Sequence, residues 1–266
     1  MKNIIIIFLL TTLNNFSQGK IDGFYRGKGN ATVVLSYGFE DSNHYYIGKT
    51  KSDIKRTAYY YNIYSSFGMT ENLDIQVALP YISSKNNNDF QDIAFFMKYR
   101  FYKKNEENHK LELSFGSGFS TPVSDYSIGG QYDIGQQATI IDTRLMMHYQ
   151  WNKNWFTTLQ SGYSFKLEES PNSVPLTLKI GVAKNNYYYD FYYDYQYSFG
   201  GTDYRGSPPP QNFREFGVDY HKIGGTFYAA IFNNFGTYIN LSYLLLGRNT
   251  YQGPAYGVGL VYDYRK

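Results

Sequence analysis

The sequence predicts an all-β chain: a transmembrane antiparallel up-and-down β-barrel of twelve strands, with fourteen as the alternative count. Three observations predict it. First, apolar and polar residues alternate through segment after segment from residue 31 onward, and nearly every charge within these segments falls on the polar set. Second, the segments run to about 10–14 residues, enough for a tilted strand to cross a bilayer, against about 5–6 in soluble sheets. Third, rings gather at segment ends (Tyr99 and Phe101, Tyr149 and Trp151, Tyr163 and Phe165, Tyr262 and Tyr264), as interfacial girdles do. A soluble sandwich would bury the uncharged rows against a second sheet and turn its polar rows outward. Unpaired backbone groups cost several kcal/mol each in hydrocarbon, so strands enter lipid only as a closed barrel.

Composition agrees. Of 266 residues, 20% are aromatic, with 31 Tyr and 20 Phe against 2 Trp. Charged residues make up 18%, below the roughly 25% of soluble domains. The mean hydropathy of −0.47 is too polar for a bundle of membrane helices. Net charge is +3 with scattered cations, which gives no nucleic-acid footprint. Cysteine is absent, so neither disulfides nor a lipid-modified cysteine anchor is available.

The first element is the leader. Lys2, the apolar run Ile4 to Leu13 and the small polar end Ser17-Gln18-Gly19 read as a signal peptide over 1–18. The run is too short for a spanning helix, which needs about 20 residues. The remainder, 19–266, reads as one barrel domain. Along it, Leu73, Ile75, Val77 and Leu79 oppose Asp74, Gln76 and Ala78. Ile93, Phe95, Met97, Tyr99 and Phe101 oppose Asp92, Ala94, Phe96, Lys98 and Arg100. Ile141, Thr143, Leu145, Met147, Tyr149 and Trp151 oppose Asp142, Arg144, Met146, His148 and Gln150. Leu176, Leu178 and Ile180, then Val258, Leu260 and Tyr262, continue the pattern. In "DFYYDYQY", Phe191, Tyr193, Tyr195 and Tyr197 share one side; Asp190, Tyr192, Asp194 and Gln196 share the other. Successive side chains of a strand point to opposite faces, so each segment has one face for lipid and one for a wet interior.

Connections alternate in length. Short turns fall at 70–73, 104–109, 152–154, 184–186 and 233–236; long loops fall near 46–55, 82–89, 120–137, 166–174, 199–212 and 247–255. Short periplasmic turns and long outer loops are the pattern of outer-membrane barrels. An even count requires 213–232 to be one long strand. Phe216, Val218 and Tyr220 there fall on one phase and Phe227, Ala229 and Ile231 on the other, so a bulge at Gly224-Gly225 is expected. "GSPPPQNF" (206–213) reads as an extended outer loop.

The face assignment gives the lumen candidates: Asp74, Asp92, Lys98, Arg100, Glu112, Asp142, Arg144, His148, Lys179, Asp190, Asp194, Asp219 and Asp263. Both signs occur, as expected of ion pairs that fill or narrow the hollow, whereas a selective anion pore would show a ladder of one sign. Catalysis has little to work with. The four histidines are His44, His109, His148 and His221; none carries a nucleophile motif, and no metal-ligand spacing or phosphate loop is present. No enzyme activity and no cofactor are expected.

"YYNIYSSFGMTENLDIQVALPYI" (60–82), "DFQDIAFFMKYRF" (89–101) and "GFSTPVSDY" (118–126) resemble the outer-membrane family named for the meta-pathway of phenol degradation. The carriers are Gly68 to Leu73, Leu79-Pro80-Tyr81, Asp92 with Lys98-Tyr99-Arg100-Phe101, and Thr121-Pro122. "LLGRNT" (245–250) adds to it. The resemblance implies an outer-membrane, transporter-like channel of a Gram-negative cell that passes small solutes, hydrophobic or aromatic ones among them. The alternative is a structural or surface-interaction barrel with a plugged lumen. No catalytic residue is carried over. Outer-membrane lipid and the barrel-insertion machinery are the implied partners. That machinery usually reads a terminal aromatic, whereas here Tyr264 is followed by Arg265-Lys266.

Overall fold

The computed structural model describes residues 21–128, 132–206 and 213–266. The expected leader, 1–18, lies outside them, as do residues 207–212 of the Pro-rich stretch.

In chain order the strands are β1 (Ala31–Ser42), β2 (His44–Ile47), β3 (Thr50–Ser52), β4 (Arg56–Gly68), β5 (Leu73–Ser84), β6 (Asn87–Phe90), β7 (Asp92–Asn105) and β8 (His109–Pro122). There follow β9 (Ile140–Trp151), β10 (Trp155–Lys166), β11 (Ser173–Ala183), β12 (Tyr187–Ser198), a short 3-10 turn (Phe213–Glu215), β13 (Asp219–Phe232), β14 (Phe235–Arg248), β15 (Tyr251–Gln252) and β16 (Pro254–Tyr264). Twelve of them close a ring, β1-β4-β5-β7-β8-β9-β10-β11-β12-β13-β14-β16, sealed by antiparallel pairing of β1 with β16. The short strands β2, β3 and β15 form a separate small sheet, and β6 folds back on β5. Five tight connections (69–72, 106–108, 152–154, 184–186, 233–234) mark one end of the barrel, and the long loops mark the other.

The faces separate by solvent preference. Leu145 (63%), Phe191 (69%) and Leu260 (60%) stand exposed on the outside, while Asp74 and Lys98 are fully buried inside. This inverts a water-soluble chain. A closed ladder leaves no unpaired edge, so apolar side chains can face hydrocarbon.

Strand β13 corrects the sequence reading in two ways. Its register runs unbroken past Gly224 and Gly225; the shifts fall between His221 and Lys222 and between Ala230 and Phe232. Tyr220 pairs with Gln196 and shares its inward face, so the phase is that of Phe227 all along the strand. Phe216 and Val218 had suggested a slip because they precede the strand, where alternation has no meaning. For the same reason Asp219 does not join the lumen set. It falls on the phase of His221 and Ile223, and its Oδ1 accepts the Ser198 N–H (2.7 Å) at the rim.

Candidate functional site in the lumen

Inward polar residues of neighbouring strands meet at pairing distance because register places them side by side. Arg100 and Glu112 form an ion pair between β7 and β8, and Glu112 also takes Lys110 (2.8 Å). Arg100 further donates to Asn72 Oδ1 (2.7 Å) and the Glu71 carbonyl (2.6 Å). On β9, Arg144 meets Asp142 at 2.9 Å, and Ser164 donates to the same carboxylate. Lys179 stands 3.5 Å from Asp190, which also accepts the Tyr188 hydroxyl and the Thr226 N–H. Asp194 accepts Thr177 Oγ1 (2.7 Å) and faces Lys222 at 3.7 Å. Asp263 accepts Thr32 Oγ1 (2.5 Å), His148 Nδ1 meets Thr158 Oγ1 (2.7 Å), and Asp92 accepts the Tyr126 hydroxyl (2.8 Å). These pairs pin the wall: breaking a buried one strands a charge at about 3–5 kcal/mol.

The lumen is not empty. Residues 21–30, which precede β1, run inside the barrel from mid-depth to the short-turn rim. Lys98, with no exposed surface, anchors them. Its ammonium donates to the Asp22 carbonyl (3.0 Å) and the Phe24 carbonyl (2.7 Å), pairs with Asp22 Oδ1 (3.3 Å) and lies 4.2 Å from the Tyr25 ring. Asp74 stands 3.7 Å from Lys98 and accepts the Arg26 N–H (3.1 Å). Arg26 returns to Asp22 at 2.6 Å. Phe24 packs edge-on against His148 (4.6 Å) and Phe156 (5.1 Å). Ile21 packs with Phe96 and Met146, and its carbonyl accepts from Gln160 Nε2 (2.9 Å).

Two glycines permit this fit. A Cβ on Gly23 would lie 2.1 Å from His148 Nδ1, and one on Gly116 would lie 2.7 Å from Ile21 Cδ1. Sequence reasoning missed the segment, although one signal pointed to it: Phe96 and Met146 are large apolar residues on the otherwise polar phase. They are the floor on which Ile21 rests.

At the opposite end, residues 132–139 of the loop between β8 and β9 span the mouth. Arg56 on β4 donates to the Asp133 carbonyl (2.9 Å), and Lys166 on β10 donates to Gln136 Oε1 (3.0 Å). These strands stand five places apart in the ring of twelve, so the loop reaches nearly across. Gln91 holds the Ile134 carbonyl, Arg214 donates to Gln137 Oε1 (2.8 Å), and Tyr126 accepts the Gln137 N–H (2.8 Å). Burial pushes the Tyr126 hydroxyl's pKa up, and the Asp92 carboxylate adds to it.

Several polar atoms inside have no protein partner among the described residues: Asp74 Oδ1, both polar atoms of Gln76, His148 Nε2 and Gln160 Oε1. Buried groups of this kind ask for water or a solute.

The model of the family described as "Putative MetA-pathway of phenol degradation" matches residues 21–253. No curated protein matches the chain. Among solved structures, the COG4313 outer membrane channel from Pseudomonas putida F1 superposes with a TM-score of 0.72 at 14% identity, covering 91% of this chain and 98% of that one. The NanC porin gives 0.55 at 12% identity, covering 86% and 98%. The KdgM porin gives 0.51 at 10% identity, covering 88% and 99%. At these identities the likeness is one of fold: this chain is built as outer-membrane channels and porins are.

Proposed function

We propose, from the premise that this chain belongs to the family described as the putative MetA-pathway of phenol degradation, that it is an outer-membrane channel for passive uptake of small solutes in a Gram-negative cell. In this reading the short turns face the periplasm and the long loops face outward. Lipid surrounds the uncharged rows, and the insertion machinery of the outer membrane places the barrel. The observation that carries the reading is the content of the hollow. It is lined by charged and hydrogen-bonding groups, and part of it is filled by residues 21–30, gathered at Lys98 and bonded to further wall groups, rather than by side chains of the wall alone. Conduction then requires residues 21–30 to shift.

Hydrophobic and aromatic solutes are the finer part of the proposal. They draw support from the family's description and from the ring slot that Phe156, Tyr188 and His148 form around Phe24. We assign no catalytic step: His148 Nδ1 meets the Thr158 hydroxyl, but its Nε2 has no carboxylate or other partner among the described residues to orient the ring.

The occupied lumen equally favours a second reading, a structural barrel that transports nothing. Planar-bilayer conductance and liposome swelling decide between the two, with the chain compared against a variant lacking 21–30. A channel gains severalfold in conductance and swelling once the segment is gone. If both proteins stay silent toward ions and small solutes, the channel reading is lost.

A further inference from the structure

Beneath the outer loops, bounded by the long-loop ends of strands β4, β1, β16, β14 and β13 and by β15, lies a cavity of about 220 Å³. Arg56, Tyr220, Lys222, Ser242 and Tyr251 line it, with Glu40 at its wall. Its acceptors are already satisfied. Glu40 Oε1 takes Arg56 Nη2 (3.1 Å) and Ser42 Oγ (2.8 Å), and Oε2 takes the Tyr60 hydroxyl (2.6 Å). Asp194, which faces Lys222 from outside the lining, takes Thr177 at Oδ1.

Its donors are not. The Lys222 ammonium stands 3.7 Å from Asp194 Oδ2, beyond hydrogen-bond length, and 5.5 Å from the Tyr220 ring. Arg56, stacked 4.2 Å over Tyr251, leaves its buried Nε–H without a partner among the described residues. A cavity whose carboxylates are already bonded, while the Lys222 ammonium and Arg56 Nε keep N–H groups to give, is matched by an occupant that brings acceptor oxygens, best with negative charge to share the ammonium. Its volume falls below the roughly 300–1,000 Å³ of sites for drug-sized ligands, which limits the occupant to a small molecule.

We infer that this cavity is a binding site for a small organic carboxylate, whose oxygens take the Lys222 ammonium while Tyr220 and Tyr251 flank its carbon skeleton. The inference rests on the reading that solutes enter at the long-loop mouth, and it names the class of solute that pauses there.

Benzoate and its neutral isostere benzamide test it, with saturation-transfer NMR on the full chain in detergent micelles as readout. A charge-assisted hydrogen bond contributes about 1.5–3 kcal/mol, or roughly tenfold and more in affinity. Benzoate should therefore bind at least about tenfold tighter than benzamide, Lys222→Met should erase that preference, and Lys222→Arg should keep it. Equal binding of the two probes by the unaltered chain overturns the inference, whatever the variants do. So does an undiminished preference in Lys222→Met, once heat-dependent gel mobility shows that variant folded. Binding is read here without passage. A barrel that prefers benzoate but never conducts refutes the channel alone, and one that conducts without the preference refutes this site alone.

Discussion

The two ends of the lumen are closed by different means. At the short-turn end a ten-residue stretch of extended chain enters the hollow, and Lys98 gathers two of its carbonyls and a carboxylate at one point. At the long-loop end residues 132–139 are tied to β4, to β10, to Gln91 and to Arg214 by separate bonds. A closure whose charged contacts converge on one buried cation, with Ile21, Tyr25 and Lys28 bonded separately to the wall, loses most of its electrostatic hold when that cation is removed. A closure spread over several anchors yields only when several fail together. On the proposed channel reading, this concentration of charge at Lys98 makes the short-turn end the part expected to move and the other end a standing rim.

Lys98→Met should break the comparison most severely. It removes the shared anchor and leaves Asp22 and Asp74 facing each other, a loss of about 3–5 kcal/mol for a buried charge pair. Urea unfolding followed by Trp fluorescence would read the stability, and bilayer recordings should show conductance rising toward that of the variant lacking 21–30.

Leu145→Arg probes the wall that both ends share. A cation on the lipid face near mid-depth should cost about 2–4 kcal/mol in refolding equilibria with lipid vesicles. The conductance of the molecules that do fold should stay unchanged. Gly23→Val tests the fit of the segment alone. Overpacking against His148 should cost about 1–3 kcal/mol of segment docking. Conductance should therefore rise while the unfolding midpoint of the wall hardly moves, because the displaced segment carries the strain away.

Tyr126→Phe, at the outer end, should cost the least, about 1–2 kcal/mol for its bonds to Asp92 and Gln137. It should leave conductance at the unaltered level, since the loop keeps its other anchors. A large conductance gain in this variant would reverse the roles of the two ends.

Much of this was legible beforehand. The outward rows, the twelve strands and the alternation of short and long connections follow from period-two patterning and turn residues. The inward placement of residues such as Asp74, Lys98 and Asp142 follows from the same period. The phase of β13 was misread because Phe216 and Val218, outside the strand, entered the count, and that error carried Asp219 to the wrong side. Phe96 and Met146 stood on the polar phase as exceptions whose partner, Ile21, lies 75 and 125 positions away in the chain.

By itself the sequence determined which face of each strand meets oil and which meets the hollow. That partition is local: neighbouring side chains on a strand point in opposite directions, and charge is costly in hydrocarbon. Only the tertiary structure decided what occupies the hollow. Residues 21–30 carry no period of their own, and what holds them is a set of groups from β5, β7, β8, β9 and β10 that become neighbours only once the ring has closed.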